Sequence, residues 1–312
     1  MAIEHSEDGH PENTRSGRPD HSETAASGQG NSTTMTFPKY DRRSLTYSNS
    51  FDAPLTAATI RGIEWMTGKL SIVRMIRDFE RRGAPTGQPF WRASLDTMGI
   101  DLLTPENELD NIPVTGPVVA VANHPHGLVD GMILADLIGR RRTDYKILTR
   151  ALLTGIDEVA ASYMISVPFP HEPDAQRKSV EMRAGAMAHL KKGGLISVFP
   201  SGVVASSDTM FGPAIEREWN VFTAQMIRRS GARVLPIFFP GANSRWYQMA
   251  NRVSSTLRQG LLLHEVVHSC NRPQKPVVGA PVSDARMEML QSDPRGFMTW
   301  LRAHTLSLGG AS

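Results

Sequence analysis

Short apolar runs, each closed by a polar or glycine-bearing turn and followed by a helical pattern, leave this chain few ways to fold. Pro117-Val118-Val119-Ala120-Val121-Ala122 reads as a strand covered on both faces, and Met132, Ile133, Leu134, Leu137 and Ile138 behind it as an apolar helix. Lys146–Thr149 is a shorter strand, Ala175–Lys192 a helix, and Leu195–Phe199 and Val234–Phe239 two further strands. Such alternation predicts an α/β fold over residues 113–285, a mostly parallel central sheet flanked by helices. Ser244–Leu263 reads as one helix, Pro276–Val282 as a final edge strand and Asp284–Leu306 as a closing helix, which makes residues 286–312 a helical C-terminal end.

Residues 1–45 are rich in Ser, Thr, Gly, His and Glu and poor in large apolar side chains, so ordering them is not repaid by burial and a disordered tail is expected. Residues 46–112 predict an N-terminal helical pair. Asp52 and Pro54 start the first helix, and Leu55, Ile60, Ile63, Trp65, Met66, Leu70, Val73, Ile76 and Phe79 recur at roughly helical spacing, with Gly62 and Gly68 as interruptions. Gly83-Ala84-Pro85 ends it, and a second helix runs from Phe90-Trp91 to Met98. Arg61, Lys69, Arg74, Arg77, Arg81 and Arg82 border the apolar face, a pattern shared by helices lying on lipid and helices packed on a domain.

No stretch reaches the ~18–20 apolar residues of a membrane span, and the start lacks a basic region followed by an apolar run. The chain is therefore expected neither to span a membrane nor to be exported, so that any membrane contact would be peripheral, at the cytoplasmic face. The single cysteine, Cys270, excludes an internal disulfide framework and fits a reducing compartment. The chain is formally +3, but residues 1–40 hold six acidic side chains against Arg15, Arg18 and Lys39, a balance of −3 that leaves +6 for the remainder. That excess suits an anionic membrane surface, an acidic carrier protein or a phosphate-bearing substrate, as well as an ordinary solvated surface. No nucleic-acid partner is expected.

Chemistry concentrates behind the first strand, in Asn123-His124-Pro125-His126-Gly127-Leu128-Val129-Asp130-Gly131. A histidine at a strand end and a carboxylate at the next helix start can form a general-base pair, the carboxylate fixing the imidazole tautomer and stabilising the cation formed on protonation. A hydroxyl needs such help to attack a thioester at neutral pH, whereas a thiolate leaves readily. The same residues also suit a capped turn, with Asp130 at a helix N-terminus, or a metal site built on His124, His126 and Asp130. Near the end of a later strand, Phe199-Pro200-Ser201-Gly202 is a turn able to offer backbone N–H groups to a phosphate or an oxyanion. A separate run, His264-Glu265-Val266-Val267-His268, satisfies H-E-x-x-H, the pattern of zinc hydrolases, with Glu288 in range as a third ligand.

Taken in order, these blocks resemble the glycerolipid and lysophospholipid acyltransferase superfamily. Asn123-His124 with Asp130 matches its N-H-x-x-x-x-D block, the segment around Arg177 its substrate-binding block, Phe199-Pro200-Ser201-Gly202 its F-P-E-G block, and Val234–Phe239 its V-P-V-type strand. Five residues rather than four separate His124 from Asp130, while His126 is three away and competes for the role of base. Ser201 stands where the family has Glu. Both departures, and Gly241-Ala242-Asn243-Ser244-Arg245, are similar to the divergent hemolysin-like and lyso-ornithine-lipid branch.

The resemblance implies an O-acyltransferase with His124 as base and Asp130 as its partner. It implies substrate contacts from Asn123, His126, Gly127, Arg177, Phe199, Pro200, Ser201, Gly202, Asn243, Ser244 and Arg245. Acyl carrier protein or coenzyme A would bring the acyl thioester, and a lysolipid of the 1-acylglycerol-3-phosphate or lyso-ornithine-lipid type would accept it at a membrane surface. No metal or redox cofactor is implied. A zinc hydrolase built on His264 and His268, or a non-catalytic lipid- or carrier-binding module, are the competing readings.

Overall fold

A five-residue strand, β1 (Val118–Ala122), is buried along its whole length, as β-branched residues with no polar alternation require of a strand enclosed on both sides. In the computed structural model, which describes residues 46, 48, 53–149, 158–168 and 174–310, β1 is a central strand of the sheet. The expected tail, residues 1–45, lies outside the described residues. The other strands are β2 (Tyr145–Thr149), β3 (Met164–Ser166), β4 (Leu195–Val198), β5 (Arg233–Phe238) and β6 (Val277–Val278), in the spatial order β3-β2-β4-β1-β5-β6. All pairings are parallel except that of β6 with β5. The predicted mostly parallel α/β sheet and its edge strand are thus present, with β3 as an unforeseen short addition.

The helices are α1 (Pro54–Glu64), α2 (Leu70–Arg81), α3 (Pro89–Thr97), α4 (Glu106–Leu109), α5 (Leu128–Gly139), α6 (Glu158–Ser162), α7 (Ala175–Lys191), α8 (Val221–Ser230), α9 (Arg245–Val253), α10 (Ser255–Gly260), α11 (Leu262–Ser269), α12 (Asp284–Ser292) and α13 (Pro294–Ser307). They cover the sheet on both faces. Val118, Ala120 and Ala122 pack into one core with side chains of α3, α5 and α11, while Val119 and Val121 enter another with α7, α8 and α13. The period of two along β1 thereby divides the interior into two layers.

Two predicted helices are broken. Ser254 adopts an extended conformation and its hydroxyl caps α10, accepting from Thr256 N, so Ser244–Leu263 is not one helix. Asp293 and Pro294 split the closing segment, because Pro294 cannot extend α12 but is suited to start α13, where the Asp293 carboxylate accepts from Gly296 N.

At the N-terminal end, α1 and α2 are joined by one wider, π-helical turn, Trp65–Lys69. Gly68 there lies against the backbone of α11, where a Cβ would sit 2.8 Å from the Leu263 carbonyl carbon, so only glycine permits this approach. Leu55, Trp65, Met66 and Leu70 stay exposed along this rod. The second member of the predicted pair behaves differently, since α3 buries Phe90, Trp91 and Leu95 against the domain.

Candidate active site

The turn leaving β1 is held from three sides. Asn123 Nδ2 donates to the Phe239 carbonyl at 2.8 Å and its Oδ1 accepts from Phe239 N at 2.7 Å, tying β1 to the segment after β5. The His124 N–H donates to Glu216 Oε2 at 3.1 Å, and its carbonyl accepts from Ala205 N at 2.8 Å. At the far end of the turn Gly127 has φ +79°, a left-handed conformation that a side chain would strain, as the chain enters α5.

This frame brings His124 and Asp130 together. His124 Nδ1 lies 2.9 Å from Asp130 Oδ2, and the same oxygen accepts the N–H groups of His126 at 2.8 Å and Gly127 at 3.0 Å. Asp130 is wholly buried, so its Oδ2 rests on fixed donors rather than water. With Nδ1–H donated to the carboxylate, Nε2 is the ring atom left to meet a substrate. The imidazole stacks on Phe199 at 3.9 Å between ring centroids, which fixes its plane.

His124 opens into a cleft of about 510 Å³ above the carboxyl ends of β2, β3 and β4. Its walls are largely apolar, with Leu128, Leu148, Val167, Met182, Phe199 and Leu262 among them. Gly127, Pro200 and Gly202 also line it, as the sequence led one to expect. Tyr247 faces it too, and burial pushes its phenol up to about 12, so it stays protonated at neutral pH.

Other expected substrate contacts are committed elsewhere. Both polar atoms of the Asn123 amide are spent on Phe239, which makes it a tether between strands. His126 is buried, with Nε2 on the Pro240 carbonyl at 2.9 Å, and so cannot serve as the base from this position. Arg177 is 63% exposed, bridges Asp174 and Glu181, and does not line the cleft. Ser201 turns its hydroxyl onto the Val203 carbonyl. The Phe199–Gly202 turn offers fewer oxyanion donors than foreseen, because Pro200 has no N–H and that of Gly202 closes the turn on Phe199. Asn243 is buried, Arg245 is exposed, and neither lines the cleft. Ser244 donates its N–H and its hydroxyl to Glu265 at 2.7 and 2.6 Å while capping α9.

That last contact also disposes of Glu265 in the H-E-x-x-H run. Its carboxylate is buried against Ser244, a structural clamp between α9 and α11, and His264 Nδ1 lies 3.2 Å from the Thr67 carbonyl. Among the described residues no group of three His, Cys, Asp or Glu side chains is placed to hold a metal ion. Cys270 is half-buried, its thiol raised by burial and close to Met75, which suits an inert packing residue.

Several residues escaped the sequence reading, the cleft residue Tyr247 and the more distant Glu216 among them. Glu216, buried, accepts from the His124 N–H with one oxygen and from Trp219 Nε1 at 2.9 Å with the other, and its carbonyl accepts from the Arg302 guanidinium of α13. It lies 92 residues from His124 with no local pattern to mark it.

Residues 106–239 match the family model described as Acyltransferase. A comparison with curated proteins gave no match. Among solved structures, the chain is similar to the 1-acyl-sn-glycerophosphate (LPA) acyltransferase PlsC from Thermotoga maritima, with 16% identity over 69% of this chain and 78% of that one and a TM-score of 0.41.

Proposed function

We propose, from the match of residues 106–239 to the family model described as Acyltransferase, that the chain is an acyltransferase of the glycerolipid superfamily that carries a fatty acyl group from a thioester to a lysolipid hydroxyl. The observation that carries this is the His124–Asp130 pair at 2.9 Å, opening into a cleft whose apolar walls suit an acyl chain. His124 Nε2 takes the hydroxyl proton as the oxygen attacks the thioester carbonyl. The C–S bond then breaks, and the thiolate recovers the proton from the imidazolium. Atoms and charge balance without a metal or redox group. Acyl carrier protein and coenzyme A present the same phosphopantetheine thioester, and either serves as donor in this reading.

The test is transfer of labelled palmitate from each donor to a panel of lysolipids, comparing wild type with His264→Ala. Product from at least one acceptor, undiminished by His264→Ala, is the expected result. No acylated product from any acceptor would defeat the proposal.

The reading extends to the membrane. Leu55, Trp65, Met66 and Leu70 stand exposed on the α1–α2 rod beside Arg61 and Arg74, an arrangement that suits peripheral binding to anionic lipid at the cytoplasmic face. No helix among the described residues is long and apolar enough to cross a membrane. Co-sedimentation with phosphatidylglycerol vesicles at low salt is expected, and Trp65→Ser with Met66→Ser should weaken it about tenfold. Full retention of vesicle binding by that double variant would remove these side chains from the membrane contact.

A further inference from the structure

His124 is gripped by its main chain as well as by its ring. Its carbonyl accepts from Ala205 N at 2.8 Å and its N–H donates to Glu216 Oε2 at 3.1 Å, so both backbone groups are held by the two ends of one short hairpin. That hairpin is closed by a reciprocal pair, Ser206 N to the Ile215 carbonyl at 3.3 Å and Ile215 N to the Ser206 carbonyl at 3.2 Å. Arg217 ties its base, donating to the Ser206 carbonyl and hydroxyl and pairing with Asp208 at 2.7 Å. From outside the hairpin, Arg302 of α13 donates to the carbonyls of Glu216 and Arg217.

Stability alone is a poor account of a carboxylate at position 216. The side chain is buried, its oxygens accept from two neutral donors, the His124 amide and Trp219 Nε1 at 2.9 Å, and among the described residues no cation is paired with it. Burying a charge costs more than burying an amide. What a carboxylate offers and glutamine lacks is two acceptor oxygens with no donor, which is what two N–H groups need. We propose that Glu216 is a positioning residue for acyl transfer. With Ala205 it sets the main chain of His124 so that the ring meets Asp130 at Nδ1 and leaves Nε2 for the cleft. Arg302 makes α13, which lies outside residues 106–239, a brace of the same site. The kinetic consequence rests on the acyl-transfer reading, whereas the hold on His124 is measurable without turnover.

The test uses the full chain and two measurements, transfer of labelled palmitate and exchange of the His124 amide proton followed by NMR with isotope-labelled histidine. Glu216→Gln keeps the size of the side chain but sets its NH2 against one of the two donors. Turnover should fall about tenfold, with the Michaelis constant for the acceptor changed by less than about twofold. The His124 amide should exchange about tenfold faster. Adding Trp219→Phe removes the competing donor and lets the amide oxygen face the His124 N–H, so the double variant should recover most of both losses. Damage to packing alone would accumulate in the double variant instead. Should Glu216→Gln fail to fold, Arg302→Gln decides, with turnover about threefold lower and faster His124 exchange expected. A double variant no better than Glu216→Gln, or Arg302→Gln at wild-type values in both measurements, overturns the proposal. A wild type that transfers no acyl group, while His124 exchange responds as expected, would defeat the acyl-transfer reading and leave the hold on His124 standing.

Discussion

Replacing His124 by alanine is expected to lower the turnover number for acyl transfer by about 10³-fold, the loss usual for removing a positioned general base. The acceptor hydroxyl then has no group to receive its proton as the C–O bond forms, and the attack falls back on water. The fold should survive, because the imidazole is partly exposed and its main structural contact is the stack on Phe199. The Michaelis constant for the acceptor should change much less than turnover. The companion variant is His126→Ala, which removes a ring bonded to the Pro240 carbonyl and should cost stability more than chemistry. If His126→Ala abolished transfer in a folded protein while His124→Ala kept it, the base would have to be reassigned.

Asp130 is expected to show a second large effect, divided between charge and geometry by the choice of replacement. Asp130→Asn retains an oxygen for the N–H groups of His126 and Gly127 and for the imidazole, but it removes the charge that stabilises the imidazolium. Turnover should fall by about 10²–10³-fold with little loss of stability. Asp130→Ala leaves both backbone donors buried without an acceptor. Unfolding in urea should then show about 3 kcal/mol of destabilisation in addition to the lost activity. Equal stability of the two variants would mean that the turn does not depend on the carboxylate, contrary to the three hydrogen bonds on its Oδ2.

The parallel sheet was legible because strand–helix alternation is a local pattern repeated along the chain, and the buried run Val118–Ala122 shows it without ambiguity. The His124–Asp130 pair was legible for a related reason, since the turn that joins them spans only a few residues. The family resemblance, read from ordered blocks, agrees with the match over residues 106–239. Charged and polar side chains beyond that turn were harder to place, because sequence gives their type and not their direction. Arg177 and Arg183 lie on one helix, yet only the second reaches the cleft. Ser244 and Glu265 each carried a functional expectation, and each is satisfied by the other across 21 residues. Glu216 is the extreme case, a side chain whose importance exists only once strands distant in sequence have met.

That dependence has a temporal side. β1 is paired with β4 and β5, which begin 77 and 115 residues later in the registers Val118↔Leu195 and Val118↔Arg233. The turn that carries His124 is pinned by Asn123 to Phe239 and by the His124 N–H to Glu216. A chain emerging from the ribosome therefore displays its histidine motif long before it has the means to hold it. Pairings of such long sequence separation are slow to close. Helical content is therefore expected to return first in a refolding chain, and the ordered His124 turn only after these distant pairings have closed.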